Sequence, residues 1–294
     1  MTSHDLRITR DIPYATGLVG DGTPEGPHAR NLLLDVYEPP ARAVSGPRPA
    51  LVLAFGGAFH RGSKENDVFP DTPGTNTATS EYCRIFAERG YVTASVDYRL
   101  TQERPPPSER PWMTDRNNVS RSRMDVVRDK LGLPPADTLE LINGVEAAYN
   151  DVADAFTWLR SNAADYNIDP DRMALGGYSA GATAALYARF AGDVQSRAVA
   201  CLSGRMEAAD IANYLSEATD TPILQIIAED DLEYVVTLGK VMAGHCTRTG
   251  QPLEQWHIPG ANHFYLKTAQ AIGPDGDRKA VADVVADFLD GALT

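Results

Sequence analysis

Seven short β-rich runs, several of them apolar on both faces, recur along the chain and are separated by helix-like stretches. They are Leu32–Tyr37, Ala50–Phe55, Tyr91–Tyr98, Met173–Leu175 leading into Gly176-Gly177-Tyr178-Ser179, Ala198–Leu202, Ile223–Ala228 and Leu253–Ile258. A strand with water on one face alternates apolar and polar residues, whereas a strand covered by helices on both faces does not need to. The pattern therefore predicts an α/β protein with a mainly parallel sheet between two helix layers. The clearest helix precedes the fourth strand, where Ile142, Val145, Tyr149, Val152, Phe156 and Leu159 recur at spacings of three and four. Asn167-Ile168-Asp169-Pro170 stops it, and a last helix is expected over about Asp277–Leu293. His4 and His28 lie before the first firm strand.

No composition shift marks a linker, so the 294 residues are read as one domain over 1–294. One stretch breaks the alternation. From Thr101 to about residue 140 the chain is rich in Pro, Arg and Asp, yet it carries Trp112, Met113 and Met124. Apolar residues of that size are rare in disordered tracts, so the stretch is expected to be a lid or cap over a site, with those three residues touching substrate.

A net charge of −13 repels phosphate backbones and anionic headgroups, which argues against nucleic acid and against stable membrane association. The N-terminal residues lack the apolar core of a secretory signal, and the three cysteines, Cys83, Cys201 and Cys246, show no paired spacing. A cytoplasmic location with reduced thiols is expected. The oligomeric state is left open, a homodimer included.

The sharpest local signal is Gly177-Tyr178-Ser179-Ala180-Gly181, which follows a strand and opens the Ala-rich stretch Ala182–Phe190. A serine on so tight a strand-to-helix turn needs glycine two residues to either side, because side chains there would strike the turn and the neighbouring strand. The amides that open the helix face any negative charge formed beside Ser179. A serine hydroxyl is a poor nucleophile until a base takes its proton. Of six histidines, His263 lies in the small-residue turn Pro259–Phe264 after the last strand and is the candidate base. Glu229-Asp230-Asp231 follows the strand before it, and Asp231 is preferred as the orienting acid, with Asp230 second and Glu229 third. Phe55-Gly56-Gly57-Ala58-Phe59 offers glycine-rich backbone after another strand, so Gly57, Ala58 and Ala180 are expected to donate to an oxyanion, each such donor being worth about 3 kcal/mol. Phe59 and Tyr178 are further candidates for substrate contact, and His60 is read as lining or structural. No metal or organic cofactor is required by this set; the expected partner is a small-molecule ester.

These segments resemble a known group, the α/β-hydrolase family of carboxylesterases, lipases related to the hormone-sensitive type, feruloyl-esterase-like enzymes and kynurenine formamidases. The resemblance runs over about residues 31–290 and rests on FGGAFHRGS, ERGYVTASVDYRL, DVADAFTWLRSNAADYNIDPDRMALGGYSAG and PGANHF. It implies an eight-stranded, mainly parallel sheet with helices on both faces, and a serine esterase using Ser179, His263 and Asp231. Two features depart from it: Phe55 stands where the group usually has the histidine of an HGGG loop, and the stretch after Arg104 is long. An amidase or aryl-formamidase would use the same machinery, a lipase would need a less acidic surface, and a binding-only relative would usually lack one of the three residues.

Overall fold

The computed structural model describes residues 6–40, 46–72 and 74–294; His4 lies outside them. In chain order the strands are β1 (Arg7–Val19), β2 (His28–Glu38), β3 (Arg48–Ala54), β4 (Val92–Val96), β5 (Ile168–Tyr178), β6 (Val199–Leu202), β7 (Ile223–Asp230), β8 (Leu253–Asn262), β9 (Gln270–Ile272) and β10 (Arg278–Ala280). The helices are α1 (Thr79–Glu88), α2 (Ser122–Lys130), α3 (Thr138–Ser161), α4 (Ala180–Phe190), α5 (Ala208–Tyr214), α6 (Glu233–Thr249) and α7 (Val281–Ala292). The strands form one sheet in the order β1-β2-β4-β3-β5-β6-β7-β8-β9-β10. From β4 to β8 all pairings are parallel, and antiparallel pairs close both edges. The expected eight strands are thus present, and a short β9–β10 hairpin extends the sheet beyond them.

Each of the seven runs read from the sequence lies on one of β2 to β8. The strands without such runs are those at the edges. β1 passes through Pro13, a positive φ at Asp11 and two register shifts against β2, so its apolar period is broken although its pairing is long. His28, read as preceding the first strand, instead opens β2 opposite Val19. At the other end the last helix starts at Val281 rather than near Asp277. Gly276 turns the chain with φ 86°, and Arg278–Ala280 then pair with Gln270–Ile272.

The apolar stripe of α3 is buried against the sheet at all six positions, and each such side chain contributes roughly 1.5–3 kcal/mol on leaving water. Asp137 caps this helix, its carboxylate accepting from the Glu140 N–H at 2.8 Å. α3, α4 and α6 pack on one face of the sheet, and α1 and α7 on the other. Cys83, Cys201 and Cys246 are buried and unbridged. Among the described residues no helix is long and apolar enough to cross a membrane.

Residues 101–137 have one regular helix, α2, yet they are firmly attached. The buried Glu146 carboxylate on α3 accepts from the Trp112 and Met113 N–H groups at 3.2 and 3.1 Å. Asp210 accepts from the Thr114 N–H at 2.7 Å, and Glu207 from the Ser120 N–H at 3.0 Å. Backbone amides that have no ladder to join are satisfied by buried carboxylates instead.

Candidate active site

Parallel strands deliver their C-terminal ends to one edge of the sheet, and β3, β5, β7 and β8 each end there in a loop that carries a candidate residue. Ser179 follows β5 in a left-handed conformation, φ 54°, before α4 begins. The glycines around it behave as a steric reading requires. A Cβ at Gly181 would sit 2.1 Å from the Ala54 carbonyl oxygen, and one at Gly177 would sit 2.6 Å from the same atom. Only residues without side chains let the turn approach β3 this closely, and that approach sets the Ser179 hydroxyl beside the loop that follows β3.

His263 Nε2 lies 2.9 Å from Ser179 Oγ, and His263 Nδ1 lies 2.5 Å from Asp231 Oδ1. Asp231 and His263 are both buried. The choice among the three adjacent acids follows from the turn after β7. Asp231 faces inward, whereas Glu229 is exposed and accepts from the Gly260 N–H at 2.7 Å, and Asp230 is exposed. Asp231 is also held from behind: its Oδ1 accepts from the Leu232 N–H at 2.8 Å and its Oδ2 from the Ser203 hydroxyl at 2.6 Å. Ser203 Oγ lies 3.0 Å from the Tyr265 hydroxyl. Tyr178 donates its hydroxyl to the His263 carbonyl, so the residue before the serine fixes the backbone of the histidine turn.

The loop after β3 is bent by positive φ at Gly57 (138°), Ala58 (56°) and Phe59 (59°). Glycine is obligatory at 57, where a Cβ would lie 1.9 Å from the Arg61 carbonyl oxygen. Among the described residues the Gly57 and Ala58 N–H groups have no acceptor, and the Ala180 N–H, first in α4, has none within its helix. In place of a histidine, Phe55 is buried and stacks on Tyr98 with ring centroids 4.2 Å apart, while the Tyr98 hydroxyl donates to the Phe55 carbonyl at 2.8 Å. Asp67 completes the brace. Its buried carboxylate accepts from the Gly56 N–H at 3.0 Å and from both the N–H and hydroxyl of Thr79. Burial pushes the Asp67 carboxyl up, against those three hydrogen bonds.

Both ring nitrogens of His60 are engaged away from Ser179. Its Nδ1–H donates to the Ala58 carbonyl at 2.7 Å, and its Nε2 accepts from Arg128 at 3.2 Å. Desolvation lowers its pKa to about 4, so it is a neutral strut between the β3 loop and α2.

Two small cavities, of about 30 and 10 Å³, touch Ser179. Phe59 and Met124 line the first, Tyr178 and His263 the second. Trp112 and Met113 line neither of these cavities. Trp112 packs on Gly192, beyond the far end of α4, and a helix of that length spans roughly 16 Å. The Glu146 carboxylate holds both residues by their backbone amides, so these two expected substrate contacts are part of the anchor of the segment. Conversely, Asp67, Ser203, Tyr265, Arg123 and Arg205 carried no sequence signal, because their roles come from contacts across strands far apart in the chain.

The BD-FAE family model, which describes an esterase-type α/β-hydrolase family, matches residues 142–227, the span from α3 through the Ser179 turn to β7. No curated protein matches the sequence. Solved structures of Thermogutta terrifontis esterase 2 are similar over nearly the whole chain. Its form phosphoramylated by tabun has 17% identity, covers 99% of this chain and 96% of its own, and has a TM-score of 0.61. The propionate-bound form covers 99% and 96% at 17% identity and 0.60, and the form phosphorylated by paraoxon covers 100% and 97% at 17% and 0.60. The chain has the α/β-hydrolase fold, as the sequence motifs implied.

Proposed function

We propose that this protein is a serine hydrolase that cleaves a carboxylic ester of a small molecule, with Ser179 as nucleophile, His263 as general base and Asp231 as the acid that orients it. The observation that carries the reading is the continuous contact from Ser179 Oγ through the His263 ring to Asp231, assembled from loops after β5, β8 and β7. The esterase neighbours, one of them phosphorylated by paraoxon, support it.

In this mechanism His263 Nε2 takes the Ser179 proton as Oγ attacks the ester carbonyl. Negative charge gathers on the carbonyl oxygen, where the N–H groups of Gly57, Ala58 and Ala180 receive it. Collapse expels the alcohol, which leaves with the proton held by His263, and an acyl group remains on Ser179. Water, deprotonated by His263, then attacks the acyl carbonyl and frees the acid and the serine. Asp231 accepts from the His263 Nδ1–H, and so keeps that proton on the far side of the ring from Ser179.

Residues 101 to about 140 serve as the cap of a single 1–294 domain. The cavities beside Ser179 hold little more than a water molecule, so substrate entry displaces α2 side chains, Met124 among them. A cytoplasmic setting fits three buried, unbridged cysteines. Replacing Ser179 by Ala is expected to lower kcat on 4-nitrophenyl acetate and butyrate by about 10⁴-fold or more while leaving the thermal melt unchanged. Wild-type rates in that variant would overturn the assignment.

A further inference from the structure

We propose that the physiological ester bears a carboxylate close to its scissile carbonyl and that Arg123 recognises it. The proposal rests on the reading of Ser179 as nucleophile. Across the chain acidic residues outnumber basic ones, 40 to 27, yet the two cavities touching Ser179 are lined by no Asp or Glu and by three arginines, Arg61, Arg123 and Arg205. A net negative surface repels anions, so a local concentration of guanidinium groups at the nucleophile runs against the molecule's overall field.

The three arginines are not equivalent. Arg61 pairs with Asp71 at 2.8 Å and lies over the Phe69 ring. Arg205 is buried, pairs with Glu207 at 3.1 Å and lies over the Tyr234 ring. Arg123 has neither a hydrogen-bond partner nor a carboxylate at ion-pair distance among the described residues; its guanidinium lies over the Phe264 ring at 5.6 Å, next in sequence to His263. Its position on the first turn of α2 makes it a wall of two spaces at once. One is the cavity of Ser179 and His263, and the other is an open groove of about 560 Å³ between α2 and α6. That groove is also lined by Glu233 and by Glu207, which is already paired with Arg205, and Arg123 is the one basic side chain in its lining.

A guanidinium drawn partly out of water with no counter-ion is costly, and burial together with the neighbouring Arg61 pushes its pKa below the usual arginine value. A carboxylate would relieve that cost, because its two oxygens match the planar fork of the guanidinium. The small size of the adjoining cavities favours this compact anion over a bulkier one.

The test compares monoethyl glutarate with its neutral isostere, ethyl glutaramate, by ethanol release. Wild-type kcat/KM is expected to be about tenfold or more higher for the charged ester, Arg123→Leu to bring the ratio to one or below, and Arg123→Lys to fall between. A wild-type ratio at or below one, or an unchanged ratio in Arg123→Leu, overturns the proposal. So does failure to cleave either ester by protein that hydrolyses 4-nitrophenyl acetate in a Ser179-dependent manner. Absence of any Ser179-dependent hydrolysis overturns the reading of the nucleophile instead.

Discussion

The two sides of the Ser179 site are built differently. On one side Asp231 and His263 leave the ends of adjacent parallel strands, so the sheet itself sets their separation, and hydrogen bonds from Leu232, Ser203 and Tyr178 take up the remaining freedom. On the other side residues 101–137 have little regular structure and are attached by buried carboxylates, Glu146, Asp210 and Glu207, that accept from their backbone amides. Residues at the ends of paired strands are fixed by a continuous ladder, whereas the segment is fixed at a few separate points. On the proposed reading the sheet carries the chemistry and the segment the selection, in keeping with the division between scaffold and loops in many enzymes.

The largest test of the rigid side is a comparison within the acidic triplet. Asp231→Asn leaves the shape intact but presents the wrong hydrogen-bonding partner to His263 Nδ1, and kcat is expected to fall by about 10³–10⁴-fold. Asp230→Asn and Glu229→Gln, at exposed positions, are expected to stay within about twofold. Equal losses from all three would remove the distinction between a sheet-positioned carboxylate and an acidic loop.

A smaller effect is expected where the two sides meet, at His60. Its folded pKa of about 4 lies below the ordinary 6.5, so as pH falls the unfolded chain takes up the proton first and stability is lost between those two values. Wild type should lose on the order of 3 kcal/mol more than His60→Gln over that window, read from urea melts at pH 7 and pH 4. Parallel stability curves for the two proteins would show that His60 is not a buried neutral strut.

The smallest effect belongs to the attached segment alone. Glu146→Ala strands the Trp112 and Met113 amides, and opening of residues 101–121 should become about tenfold more frequent, measured as the rate of limited proteolysis there. Unchanged cleavage would mean that the segment is held by something other than these carboxylates.

The same contrast explains what could be read from the residues in order. β2 to β8 are short, apolar and bounded by turn residues, so local pattern sufficed, and Gly177–Gly181 announces its own backbone strain. Asp231 stood apart from its two neighbours only by how far the turn after β7 carries it. β1 was hidden by bulges and a proline, and the β9–β10 hairpin by its three-residue strands. Trp112 and Met113 were visible as apolar residues in a polar tract, but the partner that fixes their place, Glu146, lies more than thirty residues away in α3. Asp67 and Ser203 were invisible for the same reason: a buried polar residue acquires its role from whatever the sheet lays beside it.

The central claim is that the Ser179 hydroxyl is activated by His263. Titration with a fluorophosphonate followed by peptide mapping tests it most directly. The account predicts one equivalent of label, on Ser179, with the rate of labelling reduced by about 10³-fold or more in His263→Ala. Label on another residue, or undiminished labelling of Ser179 in that variant, would contradict it.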